Sequence, residues 1–238
     1  MKQPKAAIII PAYNEAPRIQ TVLQAAVGSK LASEVIVVSD GSKDGTAEVA
    51  ARIPGVTIIP LPHNVGKGGA MVAGVGSTNA DIIVFVDADL KGLTPKHIDD
   101  ILAPIFRNEC DMCIGVFRGG KFWSNTAQRI APYTSGQRAM KREMFESIPY
   151  MHELRMGAEM AITRTSRRMR WRTASVVLRG VSNSHKEAKM GLMKGAAARA
   201  KMYREMARAT LREQRRMQTK RRLNVRWEPP TRKRKKKD

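Results

Sequence analysis

The sequence predicts an α/β fold: a mostly parallel, Rossmann-like sheet with helices on both faces, followed by a basic C-terminal helical extension. Three observations predict it. Short apolar runs alternate with stretches of helical spacing through the first half of the chain, the pattern of right-handed βαβ units around a parallel sheet. The run IIVFV at 82–86 is unbroken, as suits a strand buried on both faces, and it leads straight into Asp87-Ala88-Asp89. Finally, the net charge of +22 is concentrated at one end: residues 1–184 carry 23 basic and 16 acidic side chains, residues 185–238 carry 20 and 5.

The elements follow in order. Residues 6–10 form a first buried strand, stopped by Pro11-Ala12-Tyr13-Asn14-Glu15. Residues 18–27 have helical spacing, with Ile19, Leu23 and Ala26 on one face. Residues 35–38 are a second strand, and SDGSKDGT at 39–46 is a loop of turn residues. Asp44 or Thr46 can cap the helix that runs through Ala50. Residues 56–59 are a third strand, Gly66-Lys67-Gly68-Gly69 opens a helix reaching about Gly76, and residues 82–86 are the fourth strand. Beyond it the pattern predicts a helix at 95–106, a strand at 111–117, a helix at 136–148, a longer helix at 154–170 and a last strand at 173–178. Residues 121–133 are polar and carry no periodicity.

The composition narrows the class. With 42% hydrophobic residues in 238, one sizeable core is within reach. No apolar run approaches the ~18 residues of a membrane span, and the short apolar stretch near the N-terminus does not make a signal peptide. The expected place is therefore the cytoplasm, with the inner face of the plasma membrane as an available peripheral surface. Cys110 and Cys113 have no second Cys or His pair for zinc. On a strand they would point to opposite faces, as reduced thiols. Residues 185–222 project as a basic amphipathic helix, with Leu192, Ala196, Tyr203, Met206, Thr210 and Met217 near one line. Such a helix either packs on the domain or lies on anionic lipid. Residues 223–238 end in TRKRKKKD, a basic tail expected to be disordered.

Four loops follow the first four strands, and each has equipment for a phosphorylated nucleoside. The first holds Pro11, Ala12, Tyr13 and Glu15. The second opens with Asp40, Gly41 and Ser42, where a carboxylate can accept from a base imide or amine. In the third, the glycines permit close backbone approach, the helix N-terminus favours anions, and Lys67 can reach a phosphate. In the fourth, Asp87 and Asp89 fall on one side of an extended chain. Paired carboxylates repel unless a cation separates them, and Mg2+ or Mn2+ shared with a substrate phosphate is the usual cation. Taken singly, the acidic loop reads more readily as a plain Asx turn and the Gly-rich loop as a plain helix start. Their succession within about 80 residues is much harder to obtain by chance.

IIIPAYNEA, VVSDGSKDGT, NVGKGGA and FVDADL together resemble the family 2 glycosyltransferases of the GT-A fold. The resemblance implies a nucleotide-diphospho-sugar donor, Mg2+ or Mn2+ at Asp87 and Asp89, and inversion at the anomeric carbon. It puts Pro11, Ala12, Tyr13, Glu15, Asp40, Gly41 and Ser42 at the nucleoside, and Gly66 and Lys67 near the diphosphate. GVFR at 115–118 and SGQRAM at 135–140 resemble, more loosely, the polyprenyl-phosphate sugar synthases. That likeness implies a lipid-phosphate acceptor gripped by Arg118 and Arg129, with Ser135 and Gln137 beside it, and Lys186 adding positive charge where the nucleotide diphosphate departs. One departure stands out: Lys91 occupies the place where that group commonly has a metal-binding Gln, and a protonated lysine cannot ligate a metal.

A phosphate acceptor is already ionised near neutral pH, so no strong general base is needed, and none of His63, His97, His152 or His185 is placed as one. Catalysis would be positioning plus charge stabilisation. A hydroxyl acceptor, in a saccharide or small phosphorylated metabolite, would need a base, for which Glu153 or Glu159 is the candidate. A nucleic-acid role for the basic C-terminus accounts for its charge but leaves all four loops without a task.

Overall fold

The computed structural model describes residues 3–118, 135–155 and 157–183. A seven-stranded sheet contains β1 (Ala6–Ala12), β2 (Glu34–Asp40), β3 (Val56–Leu61), β4 (Ile82–Phe85), β6 (Met112–Arg118), β7 (Arg138–Lys141) and β8 (Thr173–Arg179). The strand order is β3-β2-β1-β4-β7-β6-β8. The first four pair in parallel, β7 runs antiparallel to both β4 and β6, and β8 is parallel to β6. A second ladder of two short strands joins β5 (Leu90–Lys91) to β9 (Ser182–Asn183), with Leu90 opposite Asn183.

Alternation along the strands builds a core on each face. Ile8, Ile10, Val35, Val37 and Val84 pack with Ile19, Leu23, Ile98 and Leu102 of α1 (Ala16–Val27) and α4 (Pro95–Phe106). Ile9, Ile36, Val38, Ile83 and Phe85 face the other way, onto Ala70, Met71 and Val75 of α3 (Lys67–Gly76) and Ala158 and Ile162 of α6 (Ala158–Arg168). Two short helices, α2 (Thr46–Ala51) and α5 (Arg142–Glu146), and a 3₁₀ turn at Met151–Glu153 complete the described elements.

The strands and helices predicted up to residue 117 are present, with shifts of a few residues at their ends. The helix expected at 136–148 is not. Its first part is β7, and only Arg142–Glu146 is helical. The long helix expected at 154–170 begins only at Ala158, behind the 3₁₀ turn. Cys110 and Cys113 are free thiols, but both enter the same core layer rather than opposite faces. Burial pushes both thiols up, Cys113 to about 12 with its neighbour Cys110 adding to the effect. The predicted C-terminal helix and tail, Lys186 and Arg129 lie outside the described residues. Among the described residues no helix is long and apolar enough to cross a membrane.

Candidate active site

The order β3-β2-β1-β4 reverses direction between β1 and β4, and open α/β sheets bind ligands outside the strand C-termini at such a point. The loops after all four strands open on that edge. The antiparallel turn of β7 brings a fifth segment there. Arg138 pairs with Phe85, so the residues just before β7 arrive beside those just after β4. Ile114 pairs with Arg138, so β6 also ends at this edge, two strands from β4 and roughly 10 Å away in sheet spacing. Arg118 is its last residue.

Asp87 is the hub of this edge. Its Oδ1 accepts from Lys67 Nζ at 2.6 Å and its Oδ2 from Gln137 Nε2 at 2.7 Å. Lys67 Nζ also donates to Glu159 Oε1 in the first turn of α6. Behind them lies Arg138, fully buried, whose guanidinium donates to Ser135 O, Glu159 O and Thr163 Oγ1. Gly136 makes the contact with Asp87 possible, since a Cβ there would overlap both carboxylate oxygens. Ser135 Oγ donates to Gly115 O at 2.5 Å and ties the segment to β6.

The charges of this cluster support one another. Burial pushes the Asp87 carboxyl up, but the Lys67 ammonium, its hydrogen bond, the Gln137 amide and the charge of Arg138 outweigh this and hold it below the usual carboxylate range. Burial pulls Lys67 down, and Asp87 and Glu159 together raise it well above an ordinary lysine. Burial dominates at Arg138, which falls to about 10 despite the carboxylates of Glu159 and Asp87. All three groups are charged at neutral pH.

The other predicted residues fall into two further groups. Asp40 is buried, and its carboxylate takes the N–H groups of Val65 at 2.7 Å and Gly66 at 2.9 Å. Gly41, at φ +67°, lets the chain turn against His63 and Asn64. Ser42 Oγ accepts from Asn14 N, Lys43 N donates to Asn14 Oδ1, and Thr46 Oγ1 accepts from Glu15 N, which locks the first loop onto the second. Asp44 accepts from Ala16 N and Thr46 N; these bonds and that of the Thr46 hydroxyl overcome the effect of burial and lower its carboxyl. Pro11 and Ala12 end β1, and Tyr13 beyond them is half exposed at the switch point.

Two expectations require correction. The N–H groups of Lys67 and Gly68 at the start of α3 donate to Arg155 O and Leu154 O. That helix end is satisfied by the chain's own carbonyls. Secondly, Asp87 to Asp89 is not extended: β4 ends at Phe85, and Ala88 and Asp89 form a turn before β5. Two-residue alternation therefore does not set the relation of the carboxylates. Asp89 is half buried in that turn.

Sequence reading left Arg138 out of the site and treated Glu159 only as a candidate base. For Glu159 the signal was a lone carboxylate in the apolar stretch MGAEMAI; Arg138, close to Gln137, Lys141 and Arg142, carried none. Glu153 lies in the 3₁₀ turn. His97 closes a capping box with Thr94 at the start of α4. Lys91 is exposed on β5, and the amide that reaches the acidic edge is that of Gln137.

Asp87, and Asp89 two residues on, are hard oxygen donors of the kind to which a dication adds water and substrate phosphate oxygens. Each Asp87 oxygen has acceptor capacity beyond the one donor that it takes among the described residues. Among the described residues no group of three or more His, Cys, Asp or Glu forms a ready cage, so the phosphate oxygens would be an essential part of the shell.

Residues 7–166 match the family described as Glycosyl transferase family 2. The chain belongs to glycosyl transferase family 2. Among its relatives, a dolichyl-phosphate beta-glucosyltransferase of Trichomonas vaginalis is 38% identical over 94 residues, covering 34% of this chain and 28% of that one. An undecaprenyl-phosphate 4-deoxy-4-formamido-L-arabinose transferase of Edwardsiella ictaluri is 25% identical over 214 residues, covering 79% of this chain and 63% of the relative. The chain thus spans less than two thirds of the length of either. Among solved structures, glucosyl-3-phosphoglycerate synthase from Mycobacterium tuberculosis, in complex with Mn2+, UDP and glucosyl-3-phosphoglycerate, superposes with a TM-score of 0.62 at 24% identity, covering 76% of this chain and 72% of that one. The shared architecture is the GT-A fold expected from the motifs. The named relatives are polyprenyl-phosphate sugar transferases, the group that GVFR and SGQRAM resemble.

Proposed function

We propose that this family 2 member transfers a sugar from a nucleotide-diphospho-sugar to a polyprenyl phosphate, with inversion, using Mg2+ or Mn2+. The observation that carries the reading is the meeting of Lys67, Asp87, Gln137 and Glu159, from four separate segments, at the C-terminal ends of the strands. A site that concentrates ammonium and carboxylate groups there suits a charged, phosphorylated ligand. Polyprenyl-phosphate acceptors are named for the relatives, and they support the same class here.

Asp89 and Asp87 would hold the dication. When bound, it would neutralise the diphosphate and ease its departure. Tyr13, Glu15 and Ser42, on the interlocked first and second loops, would frame the nucleoside, with Pro11, Ala12, Asp40 and Gly41 shaping the floor beneath it. An acceptor phosphate oxygen would attack the anomeric carbon while the bond from that carbon to the diphosphate oxygen breaks. Because that oxygen is already ionised, no proton needs removal. Arg118 stands at the end of β6 on the same edge; with Arg129 and the Ser135–Gln137 segment it would align the acceptor, and Lys186 would add positive charge at the departing diphosphate. The basic C-terminal residues would favour an anionic membrane surface from the cytoplasmic side.

The test is transfer of radiolabelled sugar from a panel of nucleotide-sugars to undecaprenyl phosphate in anionic vesicles, with Mn2+ present. Lipid-linked product that disappears on chelation and in Asp89→Asn supports the reading. Donor turnover only with phosphoglycerate or a saccharide rejects the lipid acceptor, and no donor turnover in any arm rejects the activity.

A further inference from the structure

The cation already on Asp87 is the protein's own. Lys67 Nζ sits 2.6 Å from Asp87 Oδ1 and is shared with Glu159 Oε1. The pair is partly open: the Lys67 side chain is 28% exposed and Asp87 17%. The Lys67 backbone is fixed, because its N–H is bonded to Arg155 O. Its four-carbon stem is not, and an ammonium at the end of such a stem can change partners without moving the chain. Glu159 provides the second seat, and its backbone is held: its carbonyl accepts from Arg138 Nη1 at 3.1 Å and from Thr163 Oγ1 at 2.8 Å.

We propose that Lys67 is an internal stand-in for the divalent cation: it neutralises Asp87 in the empty site, and an arriving cation displaces it from Asp87 toward Glu159 and the donor diphosphate. The inference rests on the function proposed above. It follows from charge. Lys67 and Arg138 balance Asp87 and Glu159, so the buried cluster is neutral before Asp89 is counted. A dication entering alone must break a partly desolvated ion pair and leave excess positive charge. A dication entering with a diphosphate brings its own compensation, and the displaced ammonium gains a phosphate partner. Cation and donor therefore bind with positive coupling, and Lys67 transmits a large share of it. Glu159 is a positioning residue in this scheme, because it keeps the ammonium in reach when Asp87 is taken.

The experiment is a Mn2+ titration read by the electron paramagnetic resonance of free Mn2+, with and without UDP, on full-length wild type, Lys67→Met and Asp89→Asn. The measured quantity is the ratio of the two Mn2+ dissociation constants, without and with UDP. Simply deleting a fixed positive charge tightens Mn2+ and weakens UDP but leaves this ratio unchanged. Loss of a displaceable counter-ion lowers it, since by linkage each ligand changes the other's affinity by the same factor. The expected result is tighter Mn2+ binding alone in Lys67→Met and a ratio reduced about tenfold, within the usual range of such couplings. An unchanged or increased ratio overturns the inference while Asp89-dependent Mn2+ binding by wild type leaves the functional reading standing. Wild type that binds no Mn2+ even with UDP overturns both. Lys67→Gln, which keeps a hydrogen-bond donor for Asp87, gives the same decision should the methionine variant not fold.

Discussion

Asp40 holds Gly66 by its backbone: Oδ2 accepts the Gly66 N–H at 2.9 Å, and Oδ1 takes that of Val65 at 2.7 Å. One buried carboxylate thus fixes the end of β2 to the loop that delivers Lys67. Asp40→Asn can keep only one acceptor oxygen and turns an N–H donor toward the other amide. We expect a loss of about 1–3 kcal/mol, the penalty of an unsatisfied buried group. Each kcal/mol should lower Tm by about 2–4 °C in a domain of this size. Because Lys67 rides on that loop, affinity for a nucleoside diphosphate should fall as well. A thermal midpoint within a degree of wild type would contradict the role given to Asp40.

The same carboxylate shows why the site was only partly legible. Its place at the end of an apolar run announced a buried acid beside the ligand edge. Its partners, two amides some 25 residues on, have no local signature. The parallel half of the sheet was readable because every strand there is an Ile- and Val-rich run between turn residues. β7 was not: RAMK is short and built from residues with good helix propensity. Its strand form is imposed by pairing on both sides, to β4 and β6, and by the hydrogen bonds that bury Arg138. Tertiary contacts outweigh propensity there. The start of α3 was misread for a related reason. Glycines that admit a close neighbour look alike whether that neighbour is a phosphate or, as here, the carbonyls of Leu154 and Arg155.

Gly66 has φ +91° and ψ 164°, a region essentially reserved for glycine. A Cβ there would also overlap the backbone of Arg155. Gly66→Ala therefore combines backbone strain of about 1–3 kcal/mol with displacement of the 154–155 segment. Amide exchange at Lys67 and Gly68, protected now by those carbonyls, should accelerate in this variant. Retained protection would show that the segment tolerates the methyl group.

Among the described residues Arg138 is the largest fully buried side chain. Arg138→Met removes a buried cation and leaves Ser135 O, Glu159 O and two nearby carboxylates short of compensation. Breaking a buried charge network in this way costs about 3–5 kcal/mol. Arg138→Lys keeps the charge but not the planar fork that reaches three partners, and should fall between. Urea midpoints in the order wild type, lysine, methionine are expected. A methionine variant as stable as wild type would mean that packing, not charge, holds Arg138 in place.

Away from the site, Asp111 joins three strands at their ends. Its Oδ1 accepts from Arg172 Nη2 at 2.9 Å, its Oδ2 from Arg172 N at 2.9 Å, and Lys141 Nζ lies 3.3 Å away. The Arg172 side-chain bonds, working against burial and helped by the Arg172 backbone and Lys141, lower this carboxyl to about 2. A carboxyl depressed on folding stabilises the fold fully above its unfolded value of about 3.9. That contribution is lost as pH falls from there toward about 2. Arg172 is half exposed, so solvent screening leaves the pair only a small stabilisation. Urea unfolding of wild type and Asp111→Asn should differ by that small margin at pH 7, and the gap should close as the pH is lowered toward 2. A gap that stays constant over the range would assign the role of Asp111 to its hydrogen-bonding shape rather than to its charge.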